Sequence, residues 1–152
     1  CGRHEPWVDI PSYEKGEEDI IQVIEDVKKY YRIKSDQIYL TGISMGGHGT
    51  WYIAGRHPEL FAAIAPVCGY GCGEFGSPKV DVERLSSTPA YVLHGDNDNV
   101  VPVTSSRIMV KKMRHLGFEV QYKELRGVGH NCWDIVYKDP SLIDWMLNHK
   151  KH

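Results

Sequence analysis

The sequence predicts an α/β fold: a three-layer α/β/α sandwich built on a mainly parallel sheet. Two observations carry that expectation. Strand-like and helix-like segments alternate along the chain, the pattern of a parallel sheet with crossover helices on both faces. Residues 61–67 (FAAIAPV) and 89–94 (PAYVLH) are continuous apolar runs, as expected of strands covered on both faces. At 152 residues the chain reads as a single domain over 1–152, long enough to bury a core.

The elements follow in order. Residues 1–16 mix Pro, Gly, charge and aromatics without a period and read as loop. Residues 17–31 form a helix: Ile20, Val23, Ile24, Val27 and Tyr31 recur at helical spacing. Glu17, Glu18 and Asp19 open it and Lys28 and Lys29 lie near its end, as the helix dipole favours. Ser35-Asp36 turns the chain into a strand at 37–41, and a helix follows from about 47 to 56, broken at His57-Pro58. After the run at 61–67 comes a Gly- and Pro-rich stretch to residue 88, with one short helical turn near 81–85. Beyond the run at 89–94, residues 104–116 form a helix stopped by Gly117, with Lys111, Lys112, Arg114 and His115 toward its end. Residues 118–123 alternate strictly, with Phe118, Val120 and Tyr122 on one face and Glu119, Gln121 and Lys123 on the other. That is a half-exposed strand, suited to the edge of a sheet. Residues 133–149 read as one or two helices interrupted at Asp139-Pro140.

Composition narrows the function classes. With 18 basic and 20 acidic residues and a net charge of −2, the chain has no basic stripe, so neither nucleic acid nor an anionic membrane surface is the expected partner. No apolar segment is long enough to span a bilayer, and nothing at the start reads as a signal peptide. The four cysteines, Cys1, Cys68, Cys72 and Cys132, are too few for a disulfide scaffold. Cys68 and Cys72 flank a glycine-rich loop and could form one bridge. No second Cys or His pair stands at matching spacing, so neither a metal nor a cofactor is expected. The compartment stays open.

In parallel sheets, chemistry collects at the carboxyl ends of the strands. Gly42-Ile43-Ser44-Met45-Gly46 has the form Gly-x-Ser-x-Gly and joins an apolar run (Ile38, Tyr39, Leu40) to a helix-compatible one. A serine on such a sharp strand-to-helix turn takes a strained backbone and presents its hydroxyl at the sheet end. Side chains at Gly42 and Gly46 are expected to collide as strand and helix close together. The amides that open the following helix suit a developing oxyanion. Taken alone, the five residues could equally be a glycine-rich turn with an incidental serine. Two further strand ends weigh against that. Asp96 and Asp98 follow the third strand in GDNDNVVP, and His130 follows the fourth in GVGH. Singly, the aspartates read as turn formers and the histidine as a surface residue. Jointly, the order Ser, acid, His at three strand ends is the order α/β-hydrolases use. A serine hydroxyl needs a base to take its proton, imidazole titrates near neutrality, and a carboxylate fixes the tautomer and stabilises the imidazolium.

The stretches IYLTGISMGGHGTWYIAGRHPELFAAIAPVCG, YVLHGDNDNVVPV, GVGHNCWD and DPSLIDWMLNHK resemble the α/β-hydrolase superfamily. Within it they are similar to polyhydroxybutyrate-depolymerase-like enzymes, feruloyl and acetyl-xylan esterases, and predicted peptidases. The resemblance implies that Ser44 is the nucleophile, His130 the general base and Asp98, rather than Asp96, the acid. His94 matches a family position that is structural and stays outside the implied site. The Met45 N–H is one implied oxyanion donor. The family takes its second donor from a loop after an earlier strand, and no such strand precedes residue 17, so the likeness covers only the later strands of the fold. The chain is therefore expected to be a fragment of a longer enzyme, or to pair its open strand edge with a second copy. With one oxyanion donor, turnover is expected to fall by around a hundredfold or more.

By that resemblance the expected function is hydrolysis of carboxylic esters through an acyl-enzyme, on small or polymer-linked substrates such as feruloyl or acetyl esters of polysaccharide. The loop at 68–87 lies where relatives carry a lid, and its shortness suggests an open cleft. Trp7, Phe75 and Trp133 are candidate wall residues, with an ordinary core role the alternative for each. Two other readings remain: a serine peptidase of the same fold, and a truncated hydrolase-like domain that does not turn over.

Overall fold

Four parallel strands lie in sequence order, β1 (Tyr39–Ile43), β2 (Ala63–Val67), β3 (Ala90–Gly95) and β4 (Val120–Leu125). This is a computed structural model that describes residues 13–151. The chain divides into two compact units, residues 1–35 and 36–152. The first contributes one described helix, α1 (Tyr13–Tyr30), with Gln22–Asp26 and Lys28–Glu25 contacts along its surface at 3.0 and 2.8 Å. It begins a turn before the start the acidic residues suggest, inside a stretch that reads as loop. Ser12, a residue type favoured before a helix, precedes it directly, but Gly16 in the first turn reads as a breaker.

The second unit holds the sheet and the remaining helices: α2 (Met45–Arg56), α3 (Val103–His115), α4 (Trp133–Val136) and α5 (Pro140–Leu147). Residues 82–85 form a single 3-10 turn. Helices cover both faces of the sheet. On one face, Ala65, Val67, Tyr91, Leu93 and Leu125 pack with Val136, Leu142 and Met146 from α4 and α5. On the other, α2 packs on β1 and β2 and α3 on β3 and β4, burying Trp51, Ile53, Met109, Val110 and Met113. Each of these fully buried apolar side chains contributes roughly 1.5–3 kcal/mol relative to exposure. The three-layer expectation is met within this unit.

Strand burial follows position. Every residue of β2 and β3 is buried, whereas β4 alternates, with Gln121 and Lys123 exposed. At the opposite edge, β1 pairs only with β2 among the described residues, and Thr41 and Ile43 are exposed. β1 begins and ends two residues later than its apolar run suggests and reaches Ile43, directly beside Ser44. β2 likewise starts at Ala63 rather than Phe61. Phe61 and Ala62 are buried as the chain enters the sheet, which is why they read as strand.

Candidate active site

Ser44 stands between β1 and α2 with φ 52° and ψ −115°, a conformation that costs a non-glycine residue on the order of 1–3 kcal/mol. Its backbone bonds hold it there. The amide donates to Val67 O at 3.0 Å, extending the β1–β2 ladder, and the carbonyl accepts from His48 N at 3.0 Å, which starts α2. Gly42 is forced by this closure. A Cβ there would meet Gly46 O and lie 2.6 Å from Gly46 C. Gly46 is not forced: a Cβ on it would have nothing within 4 Å. The expected symmetric collision therefore applies to Gly42 alone, because the helix backbone presses on the strand while the second glycine points into open space.

His130 is delivered by the loop after β4. That loop rests on Gly95 at the end of β3, where a Cβ would meet Val128 O and lie 2.5 Å from Gly129 O. Asn97 N donates to Val128 O at 3.0 Å, and Asp96 Oδ1 accepts from Gly127 N at 2.6 Å. Asp96 thus fastens the aspartate loop to the histidine loop and does not touch the His130 ring. Asp98 does. Its Oδ2 lies 2.7 Å from His130 Nδ1, and His130 Nε2 lies 2.9 Å from Ser44 Oγ. Residues 44, 98 and 130 form one continuous line across the ends of β1, β3 and β4.

The electrostatics fit that line. The Asp98 side chain is fully buried, and burial pushes its carboxyl up. Hydrogen bonds from His130 and from the Val100 and Val101 amides, each 2.9 Å from Oδ1, outweigh the burial and hold it below its ordinary value. An ionised carboxylate facing Nδ1 puts the imidazole proton on that nitrogen and leaves Nε2 to accept from the Ser44 hydroxyl. The arrangement can move a proton from Ser44 to His130 while Asp98 stabilises the resulting cation. Met45 opens α2, and the first amides of a helix have no acceptor within it. Its N–H is available beside Ser44.

A sequence model of the dienelactone hydrolase family matches residues 9–133, most of the chain and all of this line. The chain belongs to the dienelactone hydrolase family. Relatives and solved structures agree on the fold, that of α/β-hydrolases. A bifunctional acetylxylan esterase/xylanase, XynS20E, from Neocallimastix patriciarum is 34% identical over 82 residues, 54% of this chain and 11% of that protein. A putative carboxymethylenebutenolidase from Escherichia coli K12 is 31% identical over 100 residues, 62% of this chain and 36% of that one. A thermostable esterase of known structure superimposes with a TM-score of 0.80 at 35% identity, over 90% of this chain and 37% of its own. The chain thus spans only a small part of the curated relatives it matches.

Around the line, this dienelactone hydrolase family member differs from the sequence expectations in three places. Cys68 and Cys72 do not pair; Cys68, Cys72 and Cys132 are all free. Cys68 follows β2 with φ 41° and is fully buried. Its thiol is pushed up by contact with the Cys132 thiol and by burial. Secondly, His94 lies at the site, with Nε2 3.2 Å from Asp98 Oδ2. Cys68 and His94 each stand at the carboxyl end of a buried strand, a position that marks both as near the site without showing the contacts they make. Thirdly, the candidate wall residues part company. Trp133 meets the His130 ring edge to face, with centroids 5.5 Å apart. Phe75 is exposed at φ 55° and its ring contacts Tyr70, which in turn stacks on His48. Trp7 lies outside the described residues. Among the described residues, the group able to converge on a metal ion is Cys68, Asp98 and His130, with donor atoms within 4.8 Å of one another. It shares Asp98 and His130 with the hydrogen-bonded line.

Proposed function

We propose that this chain hydrolyses carboxylic esters through an acyl-enzyme formed on Ser44. His130 takes the Ser44 proton as the hydroxyl attacks the ester carbonyl, the Met45 N–H receives the oxyanion, and His130 returns the proton to the departing alcohol. Water then repeats the sequence on the acyl-enzyme, with His130 again as base. Asp98 keeps the His130 proton on Nδ1 and offsets the imidazolium charge. The observation that carries this reading is the pair of contacts on one imidazole, 2.7 Å to Asp98 and 2.9 Å to Ser44.

For the substrate we propose an acetyl or feruloyl ester carried on a polysaccharide. Support comes from the relative named an acetylxylan esterase/xylanase and from Trp133, whose half-buried indole lies beside the general base. Ester rather than amide cleavage is favoured because the 35%-identical structure and the xylan-acting relative are both named esterases. Hydrolysis of p-nitrophenyl acetate and of methyl ferulate, compared between the parent chain and Ser44→Ala, tests the reading. Turnover by the parent that disappears in the variant is expected. Equal turnover by both would rule out the serine mechanism.

A further inference from the structure

His94 is fully buried at the end of β3, and its ring nitrogens have unequal surroundings. Nε2 faces two acceptors, Val101 O at 2.9 Å and Asp98 Oδ2 at 3.2 Å. Neither can donate, so Nε2 carries the proton. Nδ1 is then the acceptor, and the Ser106 hydroxyl of α3, 2.7 Å away, donates to it. Burial holds His94 below its ordinary pKa, which keeps the ring neutral. The Nε2–H is bonded to Val101 O, and Asp98 Oδ2, which is bonded to His130 Nδ1, lies 3.2 Å from the same His94 nitrogen.

We propose that His94 is a positioning residue for Asp98: its Nε2–H shares the Oδ2 oxygen with His130 and sets how strongly the carboxylate holds the protonated His130. This rests on the assignment of His130 as general base and deepens it. A carboxylate that gives part of its charge to His94 holds an imidazolium less tightly. The general base therefore stays unprotonated to lower pH. His94 also ties the 96–101 loop to the end of β3 through Val101 O, so the same ring fixes where Oδ2 points.

The charged and titratable groups around His94 are few. Asp98 and His130 lie on the loops, and Glu124 is its register partner on β4. Glu124 is held at about 2 chiefly by its bond from Arg107 of α3, a bidentate pair at 2.7 Å, and it also accepts from Tyr122. Asp98 and Glu124 are both held below their ordinary values and keep their charges across the neutral range. Replacing the neutral His94 changes no net charge, so a shift in the pH profile would report the lost donor.

The test uses the full chain with His94→Leu, which removes the donor, and His94→Gln, whose amide N–H groups fall near Nε2 and can still reach Asp98 and Val101. His94→Leu is expected to move the acid limb of the kcat/KM profile to higher pH by about half a unit to one unit, a threefold to tenfold change in proton affinity. It should also shift the low-field resonance of the His130 Nδ1 proton. His94→Gln should restore most of both. A folded His94→Leu with unmoved limb and resonance would show that His94 is merely structural. If His94→Leu does not fold, resonance on the parent decides: a His94 proton on Nε2 with a through-hydrogen-bond coupling to the Asp98 carboxyl carbon upholds the proposal, and a proton on Nδ1, or an Nε2 proton coupled to Val101 O alone, overturns it. Labelling of Ser44 by a fluorophosphonate separates this from the parent reading. An unlabelled Ser44 sinks the esterase assignment, whereas the two nuclear resonance signals still report whether His94 and His130 share Asp98.

Discussion

Adding one methyl group at Gly95 should cost far more activity than stability. The Cβ of Gly95→Ala would lie 2.8 Å from Val128 C and 2.5 Å from Gly129 O, besides meeting Val128 O. All are backbone atoms and cannot swing aside. Ordinary contact begins near 3.4 Å, so the loop that ends in His130 must retreat by about an ångström, a displacement worth on the order of a hundredfold in rate where reacting groups are prealigned. The first bond lost is His130 Nε2 to Ser44 Oγ, now 2.9 Å. Overpacking of this kind costs roughly 1–3 kcal/mol of stability, so the variant should fold. Gly129→Ala is the matched control in the same loop, because its nearest neighbour would be Asn97 O at 3.8 Å. Steady-state hydrolysis of p-nitrophenyl acetate, alongside thermal unfolding by circular dichroism, reads both quantities. A Gly95→Ala protein as active as the Gly129→Ala control would refute the idea that Gly95 sets the position of His130.

Three further outcomes follow from the same geometry. Gly42→Ala should lose both activity and stability, by roughly 1–3 kcal/mol in urea unfolding, while Gly46→Ala should match the parent; equal effects would mean the turn closes differently. Asp98 has a folded-state pKa below its unfolded value. Its contribution to stability is thus present above the ordinary carboxylate range near 4 and is lost as pH falls through the lower folded value. Asp98→Asn should flatten that acid loss in urea midpoints between about pH 5 and 2, and an unchanged slope would remove Asp98 as its source. The edge of β1 that has no strand partner among the described residues, with Ile43 exposed beside it, predicts self-association of the chain through strand pairing. Light scattering should then show a concentration-dependent mass that Ile43→Lys reduces, whereas a clean monomer at all concentrations counts against edge pairing.

Much of this fold was legible because the period of hydrophobicity tracks burial. β2 and β3 are apolar throughout and buried throughout, and β4 alternates in sequence as it does in exposure. Boundaries were less legible. Only Ser12 marks the start of α1, against Gly16 and an acidic run that point to Glu17, and Phe61 is buried without being in a strand. At the site, Ser44, Asp98 and His130 could be picked out because they sit at strand ends next to glycine-rich turns. The choice of Asp98 over Asp96 rested on resemblance, and the physical distinction appears only in three dimensions, where Asp96 bonds a backbone amide and Asp98 the imidazole. His94 stands outside the implied site because the resemblance gives its position a structural role. Nothing in the sequence announces that its Nε2 reaches back to a carboxylate four residues on.

The central claim is that His130 and Asp98 activate Ser44. Intact-mass measurement after treatment with a fluorophosphonate tests this most directly, because phosphonylation requires a deprotonating base beside the hydroxyl. The account predicts one adduct on the parent chain, mapped to Ser44, with none on Ser44→Ala and a strongly slowed adduct on His130→Ala. An unmodified parent chain, or a label that persists in Ser44→Ala, would contradict it.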